Sequence, residues 1–164
     1  MQRSVLTKFT AAAACCYLLF FGAFRMYYWL YPKYSVSGES MNPTFWEQEV
    51  VQVKAHHKPE RFDVVVLRPP DDPDGLYLKR VVGLPQEKID YQGGQLFVNE
   101  KLVGDRFASI TEDFEWNSFS NRAIPAGWYF VLGDNRTVSK DSRIFGLVPE
   151  KQILGIIKEG NTDK

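Results

Sequence analysis

Leu76-Tyr77-Leu78-Lys79-Arg80-Val81-Val82 alternates as a β-strand does, with Tyr77, Lys79 and Val81 on one face. That face is mostly apolar, so an ammonium on it loses hydration and its pKa falls. A lysine that is neutral at about pH 7 to 8 can take a proton from a serine. Outward from this strand, the chain from Tyr34 onward consists of short alternating runs broken by Gly, Pro and Asp, the pattern of a mainly β domain. Strands are predicted over 34–37, 49–54, 63–68, 77–83, 88–91, 95–98, 101–103, 127–132 and 153–158. Gln92-Gly93-Gly94 and Asn99-Glu100 supply tight turns, which makes 88–103 a small β-meander. Pro69-Pro70-Asp71-Asp72-Pro73-Asp74-Gly75 connects two core strands and is not an interdomain linker. Segment 107–122 is the least regular. Its aromatics Phe107, Phe114, Trp116 and Phe119 are expected to pack back on the sheet, with a substrate-side flap as the other reading.

A partner for Lys79 lies in Ser37-Gly38-Glu39-Ser40-Met41-Asn42-Pro43-Thr44. A serine hydroxyl is a poor nucleophile at neutral pH and needs a positioned base: a histidine, an N-terminal amine or a neutral lysine. The two histidines, His56 and His57, sit side by side in a polar stretch that reads as a loop. Gly38 permits a tight turn that presents Ser40 at a strand end. Each residue alone has a plainer reading, in which Ser40 closes a glycine turn and Lys79 snorkels from an edge strand.

The two do not stand alone. Ser37 to Thr44 is followed in order by Arg61-Phe62-Asp63-Val64-Val65-Val66, by Lys79-Arg80-Val81-Val82-Gly83-Leu84-Pro85, and by Gly133-Asp134-Asn135-Arg136-Thr137-Val138-Ser139-Lys140-Asp141-Ser142-Arg143. In composition and order these stretches resemble the boxes of the type I signal peptidases, membrane-anchored Ser/Lys peptidases, over residues 36–155. The resemblance implies antiparallel sheets forming a partly open β-barrel or sandwich, preceded by one N-terminal transmembrane helix. It implies a serine endopeptidase that removes signal peptides from exported preproteins after small-x-small (Ala-x-Ala) sites. Ser40 would be the nucleophile and Lys79 the general base, with no cofactor. Ser139 falls where the family has a serine that hydrogen-bonds the lysine, which a hydroxyl does without adding a charge that would raise the lysine pKa. Its local reading is a turn cap after Asn135-Arg136. Val36, Met41, Phe45, Tyr77 and Leu78 match the family's substrate-pocket positions. Met41, Pro43, Phe45 and Trp46 form either an apolar lip on the bilayer or part of the core.

Asp134, Asp141 and Arg143 are assigned to an ion-pair scaffold, because a carboxylate beside Lys79 would keep it protonated. The first oxyanion donor is the backbone N–H of Ser40. Some family members add a serine hydroxyl two positions earlier; this chain has Gly38 there, so the second donor stays open. Phe62 stands where the family usually has glycine, and Gln86-Glu87 replaces Gly-Asp after Leu84-Pro85.

The N-terminal region follows other rules. Arg3 and Lys8 precede an apolar run over 9–24, and beyond Arg25 the stretch Met26-Tyr27-Tyr28-Trp29-Leu30-Tyr31 adds an aromatic belt. Residues 9–31 thus reach the roughly 20 positions a bilayer span needs. A cleaved secretory signal is the rival reading; the anchor is preferred because no good small-x-small site follows the apolar core. The expected domains are a short cytoplasmic 1–8, a transmembrane 9–31 and an extracytoplasmic catalytic 32–164. The resemblance supplies that orientation, in the plasma membrane or alternatively an organellar inner membrane, with lipid as a neighbour. With 20 basic and 20 acidic residues, the charge balance offers no field to attract nucleic acid. Cys15 and Cys16 are adjacent within the span and have no partner elsewhere, so no disulfide framework is expected. No Cys/His/Asp cluster has metal spacing. Three rival functions stand beside the signal peptidase: a specialised pilus, conjugation or organellar processing peptidase of the same family, a self-cleaving repressor, and an inactive membrane-tethered binding module. The span and the Gly-Asp-Asn-Arg box argue against the repressor.

Overall fold

A computed structural model describes the backbone of residues 2–107, 114–115 and 123–162, and the side chains of 10–107 and 123–157. Helix α1 (Gln2–Leu30) leads the chain. Its stretch Thr10–Leu30 has 21 residues, a mean hydropathy of 1.3 and no buried residue. At 1.5 Å per residue it is about 32 Å long, enough to cross a hydrocarbon core. Rings crowd its end, with Phe24 and Tyr28 at 4.6 Å and Tyr27 and Tyr31 at 5.2 Å between centroids.

Eleven strands follow among the described residues: β1 (Lys33–Ser35), β2 (Val50–Ala55), β3 (Val64–Leu67), β4 (Tyr77–Gly83), β5 (Ile89–Gln92), β6 (Gln95–Val98), β7 (Lys101–Val103), β8 (Phe114–Glu115), β9 (Trp128–Leu132), β10 (Val148–Pro149) and β11 (Ile153–Thr162). Seven form one antiparallel sheet in the order β1-β2-β11-β3-β4-β9-β10, curled into a half-barrel, and four form a second in the order β7-β6-β5-β8. Tyr27 ties the helix end to this sheet by accepting a bond from Gln52 Nε2 of β2 at 3.3 Å.

The centre of the large sheet follows from one run of sequence. Val64-Val65-Val66-Leu67 is buried at every position, as expected of a strand covered on both faces. Val64 and Val66 join Val36, Met41, Phe45, Val51, Val53 and Ile157 on one side. Val65 and Leu67 join Val81, Tyr129, Val131, Val148 and Ile156 on the other. Each such side chain contributes roughly 1.5–3 kcal/mol of burial, which is why this strand sits inside and not at an edge. The small sheet packs through Ile89, Tyr91, Leu96 and Val98 onto Val82, Phe130 and Leu132 of the large one.

The mainly β, partly open architecture and the 88–103 meander match the sequence expectation, and Pro69–Gly75 does connect β3 to β4. Strand β8, inside the segment read as irregular, was not foreseen, nor was the 3-10 turn Glu150–Gln152, nor were two further elements. Strand β10 has two residues, too few to show a period, and helix α2 (Ser142–Phe145) is a single turn capped by the Asp141 side chain. Phe107 packs as expected, its ring 5.4 Å from that of Phe62. The packing expected of Phe114, Trp116 and Phe119 falls outside the described side chains.

Both departures from the family pattern are conformational. Phe62 and Gln86 each adopt φ +70°, the left-handed region, which disfavours residues with a Cβ by about 1–2 kcal/mol. Phe62 offsets this through its ring contact and a carbonyl that accepts from Arg80 Nη1 at 2.7 Å. Beside Gln86, Glu87 pairs with Arg61 and accepts from Leu84 N–H at 2.8 Å.

Candidate active site

Strand β4 carries the site because its alternation is real. Lys79 faces a cleft of about 520 Å³ lined by the 37–40 turn, Leu76, Tyr77, Val138 and Lys140. Gly38, at φ +85°, makes the turn that brings Ser40 to the same cleft. Lys79 Nζ lies 2.8 Å from Ser40 Oγ and 2.9 Å from the Leu78 carbonyl oxygen. It also lies 5.2 Å from the centroid of the Tyr77 ring.

Lys79 is only 3 % exposed, and this loss of water lowers its pKa to about 8; the charges of Asp141 and Asp134 oppose the shift without cancelling it. Neither carboxylate acts on Lys79 alone. Asp134 takes two bonds from the fully buried Arg80, Nε to Oδ1 at 2.8 Å and Nη2 to Oδ2 at 2.6 Å, and a third from Thr44 Oγ1 at 2.6 Å. Asp141 pairs with Arg143, whose Nε and Nη2 lie 2.9 and 2.8 Å from its oxygens, and accepts from Gly133 N–H at 3.1 Å. The scaffold expected of Asp134, Asp141 and Arg143 is therefore two pairs. Sequence reading missed Arg80, the partner of Asp134. Its signal was its place beside Lys79 on the opposite face of β4.

Ser139 is buried close to Ser40. A Cβ added to Gly133 would come within 2.2 Å of its Oγ and 2.5 Å of the Ser40 carbonyl oxygen. The hydrogen bond to Lys79 is not made, and the Ser139 hydroxyl has no partner. The Leu78 carbonyl takes the place expected of it, because the lysine chain folds back over its own strand.

Of the five expected pocket residues, Tyr77 lines the cleft. Val36, Met41 and Phe45 lie in the core cluster, and Leu78 packs against it, since period 2 turns Leu78 to the face opposite Tyr77. Met41 and Phe45 are thus core and not lip, because their apolar partners lie inside the sheet; Trp46, 59 % exposed, and Pro43 remain on the surface. Glu39, Leu76, Val138 and Lys140 are cleft residues that sequence reading did not single out.

The histidines stand elsewhere. His56 stacks on Trp29 at 4.5 Å, His57 Nδ1 lies 3.0 Å from the Ala55 carbonyl oxygen, and their groove shares no residue with the cleft at Ser40 and Lys79. Among the described residues no group of three or more His, Cys, Asp or Glu is arranged to hold a metal.

A buried amine thus lies in hydrogen-bond contact with a serine that opens on the cleft, and the comparisons with known proteins bear on what such a cleft does. A family model described as "Signal peptidase, peptidase S26" matches residues 6–159. Signal peptidase I V of Bacillus subtilis (strain 168) is 41 % identical over 141 residues, covering 77 % of this chain and 83 % of the relative. Signal peptidase IB of Staphylococcus aureus (strain COL) is 35 % identical over 175 residues, covering 94 % and 88 %. The crystal structure of a signal peptidase I from Enterococcus faecalis superposes with a TM-score of 0.57 at 30 % identity, covering 62 % of this chain and 98 % of that one. The chain belongs to the signal peptidase family, peptidase S26. These bacterial relatives and the apolar N-terminal helix fit a membrane-anchored peptidase.

Proposed function

We propose that this peptidase is a signal peptidase I in which Ser40 is the nucleophile and Lys79 the general base, cutting exported preproteins after small-x-small sites such as Ala-x-Ala. The observation that carries the reading is the 2.8 Å approach of a buried lysine amine, its pKa lowered to about 8, to the Ser40 hydroxyl. With Lys79 neutral, Ser40 O–H donates to Nζ. The proton moves to Nζ as Oγ bonds to the scissile carbonyl carbon. The Ser40 N–H, which has no protein partner among the described residues, is assigned to the developing oxyanion. As the C–N bond breaks, Nζ returns its proton to the leaving amine, which is the new N-terminus of the mature protein. A water, deprotonated by Lys79, then releases the acyl group from Ser40.

The sheet offers the substrate a place. On one side Tyr77–Lys79 of β4 pair with β3, whereas pairing with β9 begins only at Arg80 with Leu132. The other edge of this half-strand, beside Ser37–Ser40, can take an extended peptide by strand addition. The cleft beside Ser40 is lined by Leu76, Tyr77 and Val138, short apolar surfaces that suit small side chains, while Val36, Met41 and Phe45 stay in the core. Ser139 is assigned a supporting role: its free hydroxyl becomes a partner for Nζ once Lys79 is protonated and released from Ser40. Residues 9–31 anchor the chain and place the β-domain on the extracytoplasmic side, with Trp46 and Pro43 facing the lipid.

The test is to incubate the full chain in detergent with a preprotein carrying an Ala-x-Ala site and sequence the new N-terminus. Cleavage immediately after that site by wild type, and none by Ser40→Ala, is expected. A folded wild-type protein that leaves the preprotein intact would return the chain to the status of an inactive binding module.

A further inference from the structure

The catalytic loop 133–143 is held from a direction the mechanism does not use. Asp105, which follows β7 in the small-sheet region, accepts from Arg136 Nη2 at 2.7 Å and from Tyr91 O–H of β5 at 2.6 Å. Arg136 Nη1 also reaches the Tyr91 oxygen at 3.1 Å, and the Arg136 and Asp105 side chains are 2 % and 5 % exposed. Arg136 is the node of the loop. Its Nε donates to the Gly133 carbonyl at 2.8 Å, and its own carbonyl accepts from Arg143 Nη2 at 2.7 Å. One residue before it, Asn135 N–H donates to the Ser40 carbonyl at 3.1 Å. Gly133 lies so close to Ser40 that a Cβ there would overlap the Ser40 carbonyl.

We propose that Asp105, supported by Tyr91, is a positioning residue for the dyad: through Arg136 it sets where the 133–136 turn holds Ser40, so the small sheet acts as a brace for the catalytic centre. Asp105 touches neither Ser40 nor Lys79, so its effect passes through Arg136. A guanidinium keeps its charge when its partner is removed, and a buried one must then find water or another acceptor. Either movement pulls on the Gly133 carbonyl and, through Asn135, on Ser40. The state of Asp105 agrees with this role. Burial disfavours its charged form, yet Arg136, with the hydrogen bonds of Tyr91, Arg136 and Phe107 N–H, keeps its pKa below the ordinary value. Displacements of a fraction of an ångström at a nucleophile are enough to slow acyl transfer.

The proposal rests on the Ser40/Lys79 reading, and its test separates the two. Preprotein cleavage by the full chain in detergent is measured for wild type, Asp105→Asn, Asp105→Glu and Tyr91→Phe, with rates normalised to folded protein well below the melting temperature. For Asp105→Asn, kcat is expected to fall about tenfold with KM changed less than about twofold. Asp105→Glu should regain most of the loss, and Tyr91→Phe, which removes one oxygen, should lower kcat about threefold. An unchanged kcat in Asp105→Asn with only a lower melting temperature overturns the proposal, as does a loss confined to KM or one that Asp105→Glu fails to repair. If Asp105→Asn does not fold, Tyr91→Phe decides: a wild-type kcat there overturns it. Failure of the wild type to cleave would break the dyad reading instead.

Discussion

Lys79 and Arg80 are consecutive residues of β4, both cationic and both buried, yet their two sides of the sheet are chemical opposites. Arg80 enters a pocket completed by both oxygens of Asp134, the Phe62 carbonyl and the Phe107 ring 3.6 Å from its guanidinium carbon. Lys79 meets a hydroxyl, a carbonyl and the edge of an open cleft. The carboxylates nearest to it are bonded to Arg80 and Arg143. Burial alone therefore does not decide what a cation becomes. A guanidinium given a bidentate counter-ion stays charged and stabilises the structure, whereas an amine denied one tends to lose its proton and becomes a base.

The contrast can be broken from either side. The largest effect belongs to the dyad. Ser40→Ala should lower cleavage by about 10⁴-fold or more, and Lys79→Arg should do the same because a guanidinium does not deprotonate. Melting temperature in Ser40→Ala should hardly move, and cleavage near the wild-type rate by either variant would place the chemistry elsewhere. Next comes Arg80→Met, which leaves the Asp134 carboxylate buried without its cation; a loss of roughly 3–5 kcal/mol in urea unfolding is expected. A loss below about 1 kcal/mol would mean that the two faces do not differ as described.

A smaller effect, of opposite sign, is expected at Lys79. The unfolded chain binds a proton there up to its ordinary pKa of 10.5, while the folded chain releases it at about 8. Between those values the unfolded state holds more protons, so this residue's contribution to stability rises with pH, and below about 8 its penalty is fully present. Lys79→Met should therefore be more stable than wild type at about pH 7, by roughly 3 kcal/mol, with the gain fading as pH approaches about 10.5. The same ionisation gives wild-type cleavage a rate that climbs through about pH 8, and a limb near the histidine value would contradict it. The smallest effect tests the supporting turns. Gln86→Gly relieves a left-handed backbone but adds freedom to the unfolded chain, so a change within about 0.5 kcal/mol is expected.

Much of this was legible because it depends on local pattern. The strand around Lys79 was read with its observed bounds, since seven alternating residues leave little freedom of register. The glycine turn before Ser40 and the β5–β7 meander were readable from turn chemistry. Other features were hidden by distance along the chain. Arg80 and Asp134 are separated by 54 residues, and Asp105 and Arg136 by 31, so no spacing rule joins them. Met41 and Phe45 resembled a membrane lip because an apolar run beside an active site looks the same whether it turns out or in. Their burial is decided by β2, β3 and β11 packing over them.

By itself, the order of residues determined that a mainly β domain follows an apolar helix and that it carries a serine on a glycine turn and a lysine on the apolar face of a strand. These are consequences of side-chain period, backbone permissiveness and charge, which act over a few residues. Only the tertiary structure decided that the lysine is dry and its neighbouring carboxylates already engaged, because burial and counter-ions are supplied by strands remote in sequence. The same holds for the small sheet: its bond to the catalytic loop exists only once Tyr91, Asp105 and Arg136 have been folded into one buried cluster.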